Sequence, residues 1–225
     1  MMAAYRLAPD AVPTVWRDAR VIDLAAPDYE VVCFIEMANT LSKIARFNGR
    51  NFGIGLSVAQ HCVMGAQAML NEGASTFEAA LFLLHDGHEW ALGDVIRPTV
   101  DLYAAVLTDL YGETRLHDAI ATCKAAWDEV IYFAAGLPGP EAWTNKQKKL
   151  VHDMDARLQR AEAIALFGPG AGAKFPLSAT PKLTGAIKPW PAGRAEEQFL
   201  MMARKLITEE RVLDQANLAA IRRAL

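Results

Sequence analysis

The stretch that most constrains this chain is residues 79–90, an apolar run that ends in imidazole and carboxylate side chains. Its sequence is Ala79-Ala80-Leu81-Phe82-Leu83-Leu84-His85-Asp86-Gly87-His88-Glu89-Trp90. The apolar part predicts a buried helix, and such a segment seldom ends in histidine and aspartate unless they are paired or bind a metal. Neighbouring side chains on a straight helix diverge by about 100°, so His85 and Asp86 can face one point only at a helix end. They are therefore candidate metal ligands, and Glu89 follows about one turn later.

Length and composition are those of a globular protein. The 225 residues suffice for one domain with a sizeable core, and 52% of them are hydrophobic while 22% are charged. The net charge is −3 and no Lys/Arg-rich stripe stands out, which argues against a nucleic-acid polymer as a partner. Any recognition of phosphate must then depend on a local pocket.

Cysteine usage and the absence of targeting signals favour a cytoplasmic protein. Cys33, Cys62 and Cys123 lie far apart without CxxC spacing, so we interpret them as thiols in a reducing compartment. The N-terminus lacks a signal-peptide pattern, and no apolar run reaches membrane-spanning length. We expect a cytoplasmic location and no membrane partner.

Helical periodicity dominates the chain and strand signals are almost absent, so we predict an all-α fold. A single domain, residues 1–225, divides into an extended N-terminal arm (1–28), a helical core (29–167), a loop or lid (168–194) and C-terminal helices (195–225). The predicted helices cover about 29–45, 58–70, 113–133, 145–167, 194–207 and 211–223, and two more open at Thr76 and near Pro98. Ser57 is the predicted N-cap of the second helix, and the arm contains a short β-like patch at residues 20–24.

Residues 168–194 contain many glycines and prolines, and we call them the Gly/Pro-rich segment. Too few residues follow for a second core, so the segment is predicted to be a loop or lid and not a hinge between two domains. Four apolar side chains are predicted to attach it to the domain: Phe175, Leu177, Ile187 and Trp190.

Four candidate metal ligands lie on predicted inward faces of three helices: His61, His85, Asp86 and Asp155. Mixed imidazole and carboxylate ligands suit Mn²⁺, Co²⁺, Fe²⁺, Zn²⁺ or Mg²⁺. Taken singly, each has another explanation, since His61 could be a hydrogen-bonded core histidine and Asp155 could pair with a nearby arginine. The combination of the four is what favours a metal site.

Five separate blocks carry a resemblance to a known family. They are Arg46-Phe47, Ser57-Val58-Ala59-Gln60-His61, Leu84-His85-Asp86-Gly87-His88-Glu89, Gly93-Asp94-Val95-Ile96-Arg97-Pro98 and Asp155. Their order resembles the H…HD…D signature of HD-domain metal-dependent phosphohydrolases, and more closely that of the bacterial HD-domain 5′-deoxynucleotidases. The resemblance covers roughly residues 20–166.

The resemblance implies an HD-domain helical bundle with one divalent metal ion (Mn, Co, Fe, Mg, Zn or Ni). By that likeness His61, His85, Asp86 and Asp155 are the metal ligands. Glu89 and Asp94 are then the catalytic carboxyl groups, and Arg46 holds the substrate phosphate, for which a guanidinium is well suited. Phe47 and Arg97 are further candidate substrate contacts.

Three positions depart from the family pattern. Gln60 stands where the family commonly has glutamate, so a hydrogen bond from it to His61 would be neutral. His88 replaces a small residue, and we favour a surface histidine over a polar group at the site. Arg97 stands where proline or threonine is usual, and it could replace a lysine that is missing near Val100.

The sequence therefore predicts a metal-dependent phosphohydrolase that acts on a (deoxy)nucleoside 5′-monophosphate or a similar small phosphate ester. Two alternatives remain open at this point. One is a deoxynucleoside triphosphate triphosphohydrolase, and the other is a non-catalytic HD module that binds a nucleotide. A homodimer is an option for the assembly, since relatives of this kind often dimerise.

Overall fold

A computed structural model describes residues 6–16 and 19–224, apart from the side chains of residues 223 and 224. Residues 1–5 and 17–18 of the predicted N-terminal arm, and Leu225 of the predicted C-terminal helices, lie outside the described residues. The helices are α1 (Phe34–Leu41), α2 (Val58–Asn71), α3 (Thr76–Leu83), α4 (Glu89–Leu92), α5 (Arg97–Tyr111), α6 (Leu116–Ala134), α7 (Asn145–Phe167), α8 (Pro169–Gly172), α9 (Ala192–Ile207) and α10 (Glu209–Ala224).

The predicted all-α class is confirmed. Apart from the helices, the described chain contains a two-stranded antiparallel sheet in the N-terminal arm, β1 (Pro13–Val15) and β2 (Val21–Asp23). Thr14 pairs with Ile22 at the centre of this sheet. None of the described helices combines the length and the apolar character needed to cross a lipid bilayer.

Helix boundaries follow local capping chemistry. The Ser57 hydroxyl accepts a hydrogen bond from the Gln60 amide at 3.2 Å, as expected of the N-cap of α2. The predicted first helix, 29–45, is wrong in its extent. Asp28 instead caps a short 3-10 turn, Tyr29–Val31, and α1 begins only at Phe34, after an extended Cys33.

Helix α2 lies at the centre of the packing and contacts α3, α7 and α9. Gly65 permits its close approach to α3, because a Cβ atom there would lie 2.0 Å from the Phe82 ring. The Tyr132 hydroxyl donates a hydrogen bond to the Leu81 carbonyl at 2.5 Å, so α6 is fixed to the same pair of helices. Helix α2, which contains His61, and helix α3, which leads into the turn with His85, are thereby held in a closely packed core.

Polar contacts, more than the four predicted apolar side chains, attach the Gly/Pro-rich segment. Arg157 donates to both carboxylate oxygens of Glu72 at 2.8 and 2.6 Å and to the Ala179 carbonyl at 2.9 Å. Glu72 also accepts from the Lys182 amide at 2.9 Å. Trp190 packs against the core as predicted, whereas Leu177 is 91% exposed, so its predicted attachment is wrong.

Candidate metal centre

Three parts of the chain bring polar side chains to one point. His61 lies in the first turn of α2 and is fully buried, His85 and Asp86 lie in the turn that follows α3, and Asp155 lies midway along α7. Gly87 makes the turn possible, because a Cβ atom there would lie 2.9 Å from the Leu84 carbonyl oxygen. This turn lets the adjacent side chains of His85 and Asp86 face the same point, which a continued helix would prevent.

The four predicted ligands converge. Nε2 of His61 lies 3.4 Å from Nε2 of His85 and 3.2 Å from Oδ1 of Asp155. Oδ2 of Asp86 lies 3.3 Å from Nε2 of His85 and 3.8 Å from Nε2 of His61. Asp155 completes the group, with Oδ1 at 3.7 Å from Nε2 of His85. Its side chain is 35% exposed, so the group opens to solvent on that side.

Hydrogen bonds to the opposite ring nitrogens fix which atoms face the centre of the group. Nδ1 of His61 lies 2.7 Å from Oε1 of Glu162, and Nδ1 of His85 lies 2.7 Å from the Phe82 carbonyl oxygen. Both partners can only accept, so each histidine carries a proton on Nδ1. Each neutral ring then presents the lone pair of Nε2, which is the form in which histidine binds a metal.

The four atoms that face one another are all acceptors, so the group needs positive charge at its centre. Either a divalent ion or extra protons on the imidazoles can supply it. Ligand bonds of about 2.0–2.2 Å put neighbouring ligand atoms roughly 3 Å apart, close to the observed separations. The buried histidine and carboxylate groups can therefore hold a metal ion, and one ligand atom from each of His61, His85 and Asp86 lies within 4.8 Å of the other two.

Arg46 lies beside the four predicted ligands and links Asp86 to Glu162. Its Nε donates to Oε2 of Glu162 at 3.0 Å, and its Nη1 lies 3.4 Å from Oδ2 of Asp86. Glu162 is fully buried, and its two carboxylate oxygens contact Arg46 and His61. No hydrogen bond or ion pair to a described residue involves Nη2 of Arg46, which leaves one edge of the guanidinium for a ligand.

Two further carboxyl groups lie beside the predicted ligands. Glu89, the first residue of α4, is 6% exposed, and its Oε2 has no hydrogen-bond partner among the described residues. Burial, and then the charges of Asp86 and Asp94, raise the pKa of Glu89 to about 9. Burial also raises the pKa of Asp94, which is half-buried. Burial acts in the same direction on Asp155, but hydrogen bonds from His61 and His85, donated when the metal-free imidazoles carry the extra protons, hold its pKa well below the usual range.

The two remaining predicted substrate contacts, Phe47 and Arg97, differ in burial and in their neighbours. Phe47 is half-buried, and its ring meets that of Phe167 edge to face at 5.5 Å. Phe47 and Asn48 both have φ of 54°, an uncommon conformation for non-glycine residues that is often found at functional sites. Arg97 is exposed at the start of α5 and makes no ion pair with a described residue, so its predicted substitution for the missing lysine stays a prediction.

The structure gives two of the departures from the family pattern another environment than the sequence suggests. The Gln60 side chain is directed away from His61, since it accepts from the Trp190 amide at 2.7 Å and donates to the Lys188 carbonyl at 2.8 Å. It therefore holds the Gly/Pro-rich segment. His88 is not a surface residue, since it is 5% exposed and its Nδ1 lies 2.9 Å from Oδ1 of Asp128.

Sequence reasoning missed Glu162 and Asp128, the carboxylates that hold His61 and His88. Glu162 follows Asp155 by seven residues, two helical turns, so the two share one face of α7. A glutamate on the buried face of α7 that includes Leu158 could have indicated a buried ion pair, because glutamates are rarely buried without a partner. Asp128 adjoins the buried Trp127 and offers no comparable signal.

Comparison with known proteins gives no match, either to a protein-family model or to a curated protein. The resemblance to HD-domain phosphohydrolases therefore stays a prediction that depends on the motif residues. The fold class and a group of buried side chains able to hold a metal ion stand independently of it.

Proposed function

We propose that this chain is a metal-dependent phosphohydrolase of the HD type, acting on a (deoxy)nucleoside 5′-monophosphate or a similar small phosphate ester. The observation that carries the proposal is the convergence of two imidazole Nε2 atoms and two carboxylates from distant parts of the chain. Each imidazole has its Nδ1 bound to an acceptor, which prepares it for a metal.

The donor set fits a divalent cation of borderline or hard character, such as Mn²⁺, Co²⁺ or Zn²⁺. Such an ion, when bound, lowers the pKa of a coordinated water and neutralises charge on phosphate oxygens. The 35% exposure of the Asp155 side chain provides the open side by which a small substrate can enter.

The other residues have roles in binding and proton transfer. Nη2 of Arg46 is the free edge of a buried guanidinium, and it would bind a phosphate oxygen with a charge-assisted hydrogen bond. The buried Glu89 and the half-buried Asp94 would hold or transfer protons at the attacking water and the leaving oxygen. Phosphoryl transfer depends mainly on such positioning.

Phosphate release from deoxynucleoside monophosphates tests the proposal. The protein with Mn²⁺ or Co²⁺ should release orthophosphate, and a chelator should stop the reaction. Asp155→Asn should lower turnover by about 100-fold or more, because one ligand charge is lost. Asp153→Asn is the matched control on the same helix, since Asp153 forms an ion pair with Lys149 at the surface, and this change should leave the rate unchanged.

The identity of the reaction product distinguishes the proposed function from its two alternatives. Tripolyphosphate released from deoxynucleoside triphosphates, without orthophosphate from monophosphates, would replace the proposal by triphosphohydrolase activity. Binding of metal and nucleotide without turnover of any phosphate ester would identify a non-catalytic nucleotide-binding module. Full activity of Asp155→Asn would contradict the mechanism.

A further inference from the structure

His88 is held in the same way as the histidine ligands of the candidate metal centre. It lies in the turn before α4, is 5% exposed, and its Nδ1 lies 2.9 Å from Oδ1 of Asp128 on α6. Because a carboxylate accepts, the proton of the neutral ring is on Nδ1. Nε2 therefore presents a lone pair, as it does in His61 beside Glu162.

That lone pair has no partner. Nε2 of His88 is buried and makes no hydrogen bond with a described residue, and the same holds for Oε2 of Glu89. An acceptor buried without a donor or a cation costs about 1–3 kcal/mol. A protein seldom tolerates two such atoms together unless a ligand satisfies them.

Asp86 connects this pair to the first site. One ligand atom from each of Asp86, His88 and Glu89 lies within 4.8 Å of the other two, while Asp86 also belongs to the group with His61 and His85. A carboxylate has two oxygens and can bridge two cations. Bridged pairs of ions in hydrolases lie about 3.5–4 Å apart, a separation that one shared aspartate allows.

We propose that Asp86, His88 and Glu89 bind a second divalent cation, with Asp86 as the bridge between the two sites. One imidazole and two carboxylates suit Mn²⁺, Fe²⁺, Co²⁺ or Zn²⁺. Asp128 is a positioning residue, since it acts on this cation through His88. In the form with two ions Glu89 is a ligand, so Asp94 remains as the carboxyl group available for proton transfer. The inference concerns binding and does not depend on the proposed hydrolysis.

The stoichiometry of Mn²⁺ binding to the full chain tests the inference. Equilibrium dialysis should give two ions per chain, and EPR spectra of the saturated protein should show the signal of a spin-coupled pair. His88→Ala should bind one ion, with the affinity of the remaining site changed by less than about 10-fold. His117→Ala is the matched control, because His117 also pairs with an aspartate, Asp101 at 3.0 Å, but lies at the surface. It should still bind two ions.

Saturation of the unmodified chain at one ion, or two ions retained by His88→Ala, would overturn the inference. The first of these results requires no variant, so it decides the question even where His88→Ala does not fold. His88→Gln, which keeps a polar side chain, serves as a second variant and should also bind one ion. A single ion together with orthophosphate release would overturn the second site alone. Two ions without turnover would overturn the hydrolase proposal alone.

Discussion

Glu162 lies 2.7 Å from Nδ1 of His61, and its second oxygen accepts from Nε of Arg46 at 3.0 Å. All three residues are buried, and Glu162 and His61 are fully so. One carboxylate thus orients a predicted metal ligand and neutralises the arginine predicted to bind phosphate. The orientation of His61 and the position of Arg46 are therefore coupled through a residue that touches neither metal nor substrate.

Glu162→Gln should weaken Mn²⁺ binding by about 10- to 100-fold, because a neutral partner holds and polarises the His61 ring less strongly. Isothermal titration calorimetry measures the change. Glu197→Gln, an exposed glutamate on α9, should leave the affinity unchanged. An unchanged affinity in Glu162→Gln would show that this carboxylate does not serve the metal site.

Gln60→Ala should loosen the Gly/Pro-rich segment, since it removes the bonds to the Lys188 carbonyl and the Trp190 amide. Losing these two part-buried hydrogen bonds costs about 1–3 kcal/mol in total, which is roughly a 5- to 150-fold rise in the population with the segment detached. Limited trypsin digestion should then cut faster after Lys182, which Leu183 follows. Gln198→Ala is the control, since the Gln198 side chain donates to Met201 within α9, and equal cleavage rates in the two variants would contradict the assignment.

Glu72, which helps to attach the Gly/Pro-rich segment, should make the free energy of unfolding depend on pH. Hydrogen bonds from Arg157, and less strongly from the Lys182 amide, hold the pKa of Glu72 below its ordinary value. A depressed pKa in the folded state contributes stability above the unfolded value of about 4.3, and the contribution is lost as pH falls through the folded value. Glu72→Gln should therefore be less stable than the unmodified chain in urea at pH 7, and the gap should narrow as pH falls below about 4.3.

Glu197→Gln is again the control, and the difference in its free energy of unfolding should not vary with pH in the same way. A gap between Glu72→Gln and the unmodified chain that stays constant from pH 7 to about pH 3 would mean that the Arg157 pair adds nothing to stability.

Gly65→Ala should destabilise the fold, because the new Cβ would lie 2.0 Å from Cε1 of Phe82. Overpacking of this kind costs about 1–3 kcal/mol, or roughly 2–12 °C in the midpoint of thermal unfolding. Gly193→Ala, in the first turn of α9 with nothing within 4 Å, should be neutral or stabilising by up to about 1 kcal/mol. Circular dichroism melts compare the two, and equal midpoints would show that α2 and α3 do not need this close approach.

Sequence periodicity was sufficient for the long helices, and it predicted α7 at its observed limits, Asn145–Phe167. It failed at 29–45, where local capping by Asp28 and an extended Cys33 interrupt a pattern that is otherwise helical. Periodicity reports which face is apolar, but it does not report where the backbone leaves the helix.

In the candidate site, the proposed metal ligands could be predicted from the sequence, but their hydrogen-bond partners could not. His61, His85, Asp86 and Asp155 could be chosen from sequence, because polar side chains on apolar stripes are unusual. The carboxylates that hold the histidines, Glu162 and Asp128, depend on packing between distant helices and were missed. For that reason His88 was assigned to the surface. A residue type alone does not reveal whether a partner approaches from elsewhere in the chain.

Two imidazoles and two carboxylates are proposed to hold one divalent ion. Crystals soaked in Mn²⁺ and measured at the manganese absorption edge should show an anomalous peak about 2.0–2.3 Å from four atoms: Nε2 of His61 and His85, Oδ2 of Asp86 and Oδ1 of Asp155. No peak at this position at saturating Mn²⁺, with the four side chains in place, would contradict this proposal.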